Sequence, residues 1–404
     1  MPVSPAPDPL AEATDRALLL LEELCALSSA SGDREGLDAV AARLAAELGA
    51  RGLPARLESW EGEEGSWPVV VAGDPAAAAP LLLVGHLDTV LPAAPPRREA
   101  DRLVATGAID MKGGLAALCG ALDLLATEGR PVPAGLQFVA VPDEEVGGSI
   151  SHRAVRRFGA RARALWVLEP GSPLPAGAES LVVGRRGLLH FSLRVEGRAA
   201  HAGADFWVGR SALTAAAQWA GSAAALSRTG RGPIVNPARL VAAEAGAVEH
   251  PERLAGLLGT PRQVNVVPDR ARLDGEARFF HEAEGREVAR ALQGLAAEVA
   301  VARQVRCDLD LGEPVPALEP TPARLAYGAR AVAAAAARGW NLELEEDRGG
   351  ISFPNFLPPG SAIPVLDGLG PVGGGMHTRD EHVRLESFRR RVRLLVDLLA
   401  GEPG

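Results

Sequence analysis

LLLVGHLDTV, residues 81–90, joins a run of four apolar residues to a histidine and an aspartate spaced two apart. A short apolar run of this kind, preceded by a proline, is typical of a strand buried in a sheet. Such a strand does not normally end in an imidazole and a carboxylate. We therefore expect this strand to support a chemical site at its carboxyl end, where His86 and Asp88 stand.

The composition argues against several classes of function. The chain has 404 residues, of which 47% are hydrophobic and 23% charged, and a net charge of −9. This length is enough for two or more domains. Nucleic acid is not an expected partner, because no basic cluster is long enough to follow a phosphate backbone. Without a signal-peptide pattern or an apolar run of about 18 residues, no membrane contact is expected, and the expected location is cytoplasmic.

The chain contains few cysteines and a single lysine, and their positions limit the roles that they can have. Cys25, Cys119 and Cys307 show no CxxC spacing, which argues against a disulfide framework and a thiolate zinc site. Cys25 and Cys119 lie within apolar helical patterns and are predicted to be small buried residues. Lys112 is the single lysine among 42 basic residues, so it either has a specific role or stands there by chance.

The order of predicted elements indicates two domains. Helices and strands alternate up to residue 181, as in an α/β sheet with helices on both faces. From residue 182 the predicted order is β-α-β-β-α-β, the ferredoxin-like arrangement, with a helix near 209–228 and a strand near 240–248. We therefore expect an α/β domain of residues 1–181 and 315–404, interrupted by an inserted α+β domain of residues 182–314.

Carboxylates and histidines are predicted to converge at the carboxyl ends of the strands, where open α/β sheets bind ligands. They are His86, Asp88, Asp110, Glu144, Glu145, Glu169 and His377. A lone histidine at a strand end is more often structural, but a convergence of this size argues for a metal. Crowded carboxylates raise one another's pKa, and a cation removes that repulsion. Two histidines with several carboxylates suit Zn²⁺, Co²⁺ or Mn²⁺, and are numerous enough for two ions.

Six motifs of the chain resemble those of the M20 family of metallopeptidases in order and approximate spacing. They are GHLDTV, GAIDMKGG, PDEEVGGS, LEP, GRAAHAG and GGGMHT. The pattern is most similar to the glutamate carboxypeptidase subgroup, whose relatives include acetylornithine deacetylase and succinyl-diaminopimelate desuccinylase. The resemblance covers nearly the whole chain. It implies a di-metal α/β catalytic domain, an inserted ferredoxin-like dimerisation domain and a homodimer.

The resemblance also implies a set of metal ligands. By motif, His86 is a ligand of one ion and Asp110 bridges both. Glu145 is a ligand of one ion and Glu169 of the other. His377 is the last ligand, on the same ion as either Glu145 or Glu169. The implied cofactor is a pair of divalent ions, with Zn²⁺ preferred over Co²⁺ or Mn²⁺.

Further roles follow from the same resemblance. Asp88 is expected to hold the His86 ring, and Glu144 to act as general base, the alternatives for Glu144 being a third metal ligand or a solvated acid. His201 is expected to stabilise the oxyanion in the partner subunit's active site. Asn265 and Arg278 match positions that contact substrate, and Arg278 suits a free carboxylate.

Two glycine-rich stretches bear on the substrate. Gly374 and Gly375, in a run of three glycines, either let backbone amides approach the substrate carboxylate or form a plain turn. After the glycines of GGISFPNF, family members often carry Ser-Asp-Ala, whereas this chain has Ser352, Phe353 and Pro354. The departure leaves catalysis in place and puts the substrate assignment in doubt.

The sequence thus predicts a metallohydrolase that cleaves an amide bond next to a free carboxylate. The expected substrate is a small molecule, either an N-acyl amino acid or a short peptide, with a C-terminal glutamate as one candidate. A biosynthetic N-acyl-amino-acid deacylase is a close alternative. A catalytically silent protein that binds an amino-acid derivative, and an aminopeptidase that grips a free amine, are the others.

Overall fold

The structure, a computed structural model, describes residues 8–63, 65–248 and 264–402. The chain divides into two compact units. The larger unit comprises Met1–Gly184, Pro320–Arg348 and Ser352–Gly404, and the smaller comprises Arg185–Glu319 with Gly349–Ile351. Within the described ranges, none of the helices combines the length and apolarity that crossing a membrane requires.

The larger unit contains a six-stranded sheet and two smaller ones. Its strands are β1 Ala55–Gly62, β2 Gly65–Gly73, β3 Leu81–His86, β4 Arg97–Arg98, β5 Arg102–Val104, β6 Leu136–Val141, β7 Ala164–Val167, β8 Glu179–Val182, β15 Leu342–Glu345, β16 Val365–Leu366, β17 Gly373–Gly374 and β18 His382–Arg384. The main sheet has the order β1-β2-β6-β3-β7-β16, in which β6, β3, β7 and β16 are parallel. Every residue of β3, β6 and β7 is buried, as expected for parallel strands covered on both faces.

Six α-helices complete the described part of the larger unit. They are α1 Pro9–Ala26, α2 Arg34–Ala50, α3 Lys112–Thr127, α4 Ser149–Gly159, α8 Pro322–Ala337 and α9 Leu385–Ala400. Helix α3 is buried along almost its whole length, because its sequence is apolar on all sides, and both α1 and α9 pack against it. Its N-terminus follows Asp110 directly, so this buried helix gives that carboxylate a rigid support.

A small antiparallel sheet, β17-β18-β5-β4, connects two distant parts of the sequence in the larger unit. Gly373 pairs with Val383, and Val383 pairs with Leu103. The loop between β17 and β18 carries His377, and the segment after β5 leads to Asp110. The sheet therefore brings the loops that carry these two residues together.

The described part of the smaller unit contains a four-stranded antiparallel sheet, a short two-stranded sheet and two long helices. Its elements are β9 Gly187–Glu196, β10 Ala200–His201, α5 Ala212–Ala224, β11 Ile234–Ala243, α6 Ala245–Val248, β12 Val266–Val267, β13 Arg270–Phe279, α7 Glu282–Arg303 and β14 Arg306–Leu311. The sheet order is β11-β13-β9-β14, and its elements follow the predicted β-α-β-β-α-β order. Alternate residues of β9 are buried in a core that contains Trp219 and Leu292.

Some predicted elements differ from the observed ones. The strand predicted near 240–248 is wrong in position: β11 begins at Ile234, and residues 245–248 form a short helix. The helix predicted near 209–228 is shorter, because the Ser211 hydroxyl accepts a hydrogen bond from the Thr214 backbone N–H and caps its start. The burial predicted for Cys25 and Cys119 is confirmed.

Candidate metal centre

Three parallel strands of the larger unit end at the candidate metal centre. His86 is the last residue of β3, Glu144 and Glu145 follow β6, and Glu169 follows β7. A close approach of α3 completes the frame: a Cβ on Gly114 would lie 2.1 Å from the Leu168 backbone oxygen, so only glycine fits there. This contact brings the first turn of α3 against the residue that precedes Glu169.

The Asp110 carboxylate lies between the two histidines. Its Oδ1 is 3.2 Å from His86 Nε2, and its Oδ2 is 3.2 Å from His377 Nε2. Glu169 Oε1 lies 3.6 Å from His86 Nε2, and Glu145 Oε2 lies 3.2 Å from His377 Nε2. The Nε2 atom of each imidazole therefore faces one oxygen of Asp110 and one glutamate oxygen, from Glu169 at His86 and from Glu145 at His377. Of the two partners that the sequence left open for His377, the structure places Glu145 beside it.

Two groups of potential ligand atoms overlap at His86. Ligand atoms of His86, Asp110 and Glu145 lie within 4.8 Å of one another, and so do those of His86, Glu144 and Glu169. Glu144 therefore stands close enough to offer an oxygen to a cation, which is the alternative role considered for it above.

Asp88 holds several parts of the centre at once. His86 Nδ1 lies 2.9 Å from the Asp88 backbone oxygen and 3.4 Å from its Oδ1, so two acceptors keep the ring proton on Nδ1 and leave Nε2 for a ligand bond. The buried carboxylate also accepts the backbone N–H groups of Glu144 and Glu145, each at 3.1 Å, and the Ser31 hydroxyl at 2.8 Å. The predicted contact of the Asp88 carboxylate with the His86 ring is thus accompanied by a closer contact from the Asp88 backbone oxygen.

Several side chains of the centre have shifted pKa values, because they are buried and lie close together. Burial raises the pKa of Glu145 to about 8, and burial with the nearby Asp110 and Glu144 carboxylates raises the pKa of Glu169 well above its ordinary value. Burial disfavours the charged form of His86, but hydrogen bonds to Asp110 and Asp88 outweigh it and raise the pKa of His86. Protons are thus retained where several carboxylates crowd together, and divalent cations would replace them. The donor set therefore fits a metal centre.

Glu381 is a buried carboxylate that the sequence reasoning missed. Its Oε2 accepts the Gly107 N–H at 2.9 Å, and its Oε1 accepts the N–H groups of Ile109 and Asp110 at 3.0 and 3.1 Å. It stands four residues after His377 and is 3% exposed. The available signal in the sequence was the position of Glu381 at the end of the loop that carries His377, a predicted ligand.

The backbone of the His377 loop has an uncommon conformation. His377 itself has φ +61°, a value that few residues other than glycine adopt. Gly375 has φ +71°, and a Cβ there would lie 2.5 Å from the Asp380 backbone oxygen. A turn therefore already requires glycine at position 375, while the approach of its amide to a substrate remains a proposal. A Cβ on Gly374 would only touch the His382 ring, at 3.0 Å.

The segment that departs from the family pattern lies next to the centre. The Ser352 hydroxyl donates to Glu169 Oε1 at 3.5 Å. The buried Phe353 ring lies 6.4 Å from the His86 ring, and it begins a short 3-10 turn that ends at Phe356. Ser352, which matches the family pattern, thus contacts one predicted ligand, and Phe353, which departs from that pattern, approaches another.

The other predicted site residues lie in the smaller unit. His201 Nδ1 accepts the backbone N–H groups of Gly203 and Ala204, both at 3.1 Å, and the Asn265 side chain lies 3.3 Å from its Nε2. The structure thus brings His201 and Asn265 together. Arg278 is engaged differently: it donates through Nε and Nη2 to the two carboxylate oxygens of Glu276, at 3.0 and 3.1 Å.

Lys112 has a structural role in the larger unit. Its Nζ, in a side chain 1% exposed, donates to the backbone oxygens of Leu24 and Leu27, each at 2.9 Å. A cation suits these last carbonyls of α1 because it complements the negative end of the helix dipole. Burial lowers the pKa of Lys112. This contact fastens the start of α3, and hence the Asp110 segment, to the end of α1.

Replacing Lys112 with methionine is expected to destabilise the protein by about 1.5–3 kcal/mol, because two buried carbonyls lose hydrogen bonds to a charged donor. Urea unfolding of the two proteins measures this difference. Arg161→Met, at an exposed position, is the control and should change stability by about 0.5 kcal/mol or less. Equal midpoints for the wild type and Lys112→Met would contradict the assigned role.

Comparison with known proteins identifies the family. The profile of "Peptidase family M20/M25/M40" matches residues 82–401. Carboxypeptidase G2 from Pseudomonas sp. (strain RS-16) is 27% identical over 393 residues, which cover 95% of this chain and 89% of that protein. Aminopeptidase PepT from Bacillus cereus has a similar fold, with a TM-score of 0.77, 20% identity, and coverage of 96% and 98% of the two chains. A dinuclear metal-binding peptidase of the M20 family from Bacillus subtilis superimposes with a TM-score of 0.65, 16% identity, and the same coverage.

Proposed function

Because the chain belongs to peptidase family M20/M25/M40, we propose that it is a two-metal hydrolase that cleaves an amide bond next to a free carboxylate. The observation that carries this proposal is the position of Asp110, whose two oxygens each lie 3.2 Å from a different imidazole, His86 or His377. A carboxylate placed in this way can serve two adjacent ions.

The residues of the larger unit divide into two ligand sets around Asp110. His86 and Glu169 would hold one ion, and His377 and Glu145 the other. Oxygen and nitrogen donors without thiolates suit Zn²⁺, with Co²⁺ and Mn²⁺ as alternatives. When bound, the two ions polarise the scissile carbonyl and lower the pKa of the attacking water. The similar fold of a dinuclear metal-binding peptidase supports the count of two.

Glu144 is assigned the proton transfers. It is half-buried beside the ligands, and the Asp88 carboxylate fixes its backbone through a 3.1 Å hydrogen bond. In this position its carboxylate takes a proton from the attacking water and returns it to the departing amine. Asp88 acts by holding the His86 ring and this backbone segment.

The smaller unit is assigned the role of an inserted dimerisation domain, with the protein a homodimer. His201 is proposed to stabilise the oxyanion. Its Nδ1 accepts two backbone N–H groups, so the ring proton stands on Nε2, the nitrogen that faces the Asn265 side chain. Asn265 and Arg278 would contact the substrate, although the Arg278 guanidinium must then be shared with Glu276. Gly374 and Gly375 would offer backbone amides to the carboxylate.

A carboxypeptidase acting on peptides or N-acyl amino acids is the function we favour. The 27% identity to carboxypeptidase G2 across 95% of this chain supports it. A deacylase of the acetylornithine deacetylase or desuccinylase type would use the same centre with a different acyl group. The silent binding protein is disfavoured by the presence of Glu144 beside a full ligand set.

The test is hydrolysis of N-acyl amino acids and dipeptides by the purified protein. We expect turnover that chelation abolishes and that added Zn²⁺, Co²⁺ or Mn²⁺ restores, with two ions bound per chain. The released amino acid and the tolerated acyl groups separate carboxypeptidase from deacylase. Two bound ions without turnover of any compound would argue for the silent binding protein, and turnover that resists chelation would refute the metal assignment.

A further inference from the structure

Apolar side chains are exposed beside the proposed metal centre. Among the described residues of the larger unit, five large apolar side chains are exposed, and two of these, Leu19 and Leu57, lie on α1 and β1. The other three are Val90, Val146 and Met376, which are 42%, 67% and 44% exposed. Each of these three stands one or two positions from a residue of the centre, so the exposed apolar surface is concentrated there.

Direct contacts join the three loops that carry these side chains. The Glu145 N–H donates to Asp88 Oδ2 at 3.1 Å, and His377 Nε2 lies 3.2 Å from Glu145 Oε2. Arg379 Nη1 closes the triangle by donating to the Pro92 backbone oxygen at 2.9 Å. The three apolar side chains therefore belong to adjacent loops around one centre, not to separate parts of the surface.

The loop after Asp88 extends this apolar surface. Residues 90–96 read VLPAAPP, seven consecutive residues without a polar side chain, all of them half-buried or exposed. Leaving such a surface in water is unfavourable, whereas covering it with an apolar group is favourable.

We infer that these residues form a subsite for an apolar side chain, and that the substrate residue bearing the free carboxylate is of the leucine, methionine or phenylalanine type. This inference rests on the proposed function. If the carboxylate meets the amides of Gly374 and Gly375, the side chain of the same residue lies beside the next residue, Met376. The loop of Val90 is joined to that of Met376 through Arg379.

The test compares N-acetyl-leucine and N-acetyl-methionine with N-acetyl-glutamate and N-acetyl-aspartate on the Zn²⁺-loaded protein. We expect the apolar compounds to have the higher kcat/KM, by on the order of tenfold or more. The same compounds are titrated calorimetrically into Glu144→Gln, and the apolar ones should bind more tightly. Absence of turnover would refute the proposed function alone, because the binding order still decides the subsite. Equal or tighter binding of the acidic compounds would overturn the inference.

The variant Met376→Gln tests whether Met376 contacts the substrate side chain or is instead covered by another segment of the protein. If the substrate side chain occupies the subsite, the ratio of kcat/KM for leucine over glutamate should fall about threefold to tenfold in this variant. If another segment of the chain covers Met376, all substrates change by the same factor, and the inference fails. Leu57→Gln, at a similarly exposed apolar position on β1, is the matched control and should leave the ratio unchanged.

Discussion

Replacing Glu144 with glutamine is expected to lower kcat by about 10²–10⁴-fold, the usual contribution of a positioned general base. Glutamine keeps the size of the side chain but cannot take a proton from water. The hydrogen bond from the residue 144 backbone to Asp88 does not involve the side chain, so the local structure should be retained. The measurements are kcat and KM on the preferred substrate, together with metal content per chain.

The metal content decides between the two roles considered for Glu144. As a general base, Glu144→Gln should still bind two ions, whereas Glu145→Gln should lose affinity for the ion beside His377. Loss of an ion from Glu144→Gln would instead assign Glu144 to the ligands, as its proximity to His86 and Glu169 permits. Glu386→Gln is the control, because that side chain is 68% exposed and pairs only with Arg390 among the described contacts.

The strands that carry the centre were predictable because burial on both faces leaves a simple pattern. Strands β3, β6 and β7 are short apolar runs, and each was recognised from the sequence. Strand β1 was missed because its mixed polar pattern reflects partial exposure at the edge of the sheet, where β2 is the one described strand that pairs with it. The sheet β17-β18-β5-β4 was missed for another reason: strands of two or three residues are too short to show any periodicity.

The candidate ligands were predictable to the extent that each follows a strand or a recognisable motif. The sequence pattern predicted that all of these residues converge at the strand ends, whereas their roles as ligands of particular ions depended on the resemblance. The structure places His377 in the loop between β17 and β18. The identity of the partner of His377 came only from the structure, because it depends on how two loops pack. Ser31 and Glu381 were missed because their contacts join residues far apart in the sequence. Among the described contacts, the Glu381 carboxylate accepts hydrogen bonds from backbone N–H groups, which every residue type except proline supplies.

Glu381→Gln is expected to weaken metal binding by about 10–100-fold, the usual effect of removing a group that orients ligands. Glu381 closes a ring of contacts: its carboxylate accepts the Asp110 N–H at 3.1 Å, and the Asp110 side chain meets His377, four residues before Glu381. Three backbone N–H groups point at this carboxylate, so the amide nitrogen of glutamine would oppose at least one of them. The loops of Asp110 and His377 would then lose their common anchor.

Calorimetric titration of Zn²⁺ into the metal-free variant measures the affinity, and the absorption spectrum of the Co²⁺ form reports the ligand geometry. Both should change in Glu381→Gln while circular dichroism stays that of the wild type. Asp380→Asn is the matched control, since that neighbouring residue is exposed and should leave affinity and spectrum unchanged. A Glu381→Gln variant with wild-type affinity and Co²⁺ spectrum would show that the two loops are held by the small sheet alone. The ring of contacts would then have no part in orienting Asp110.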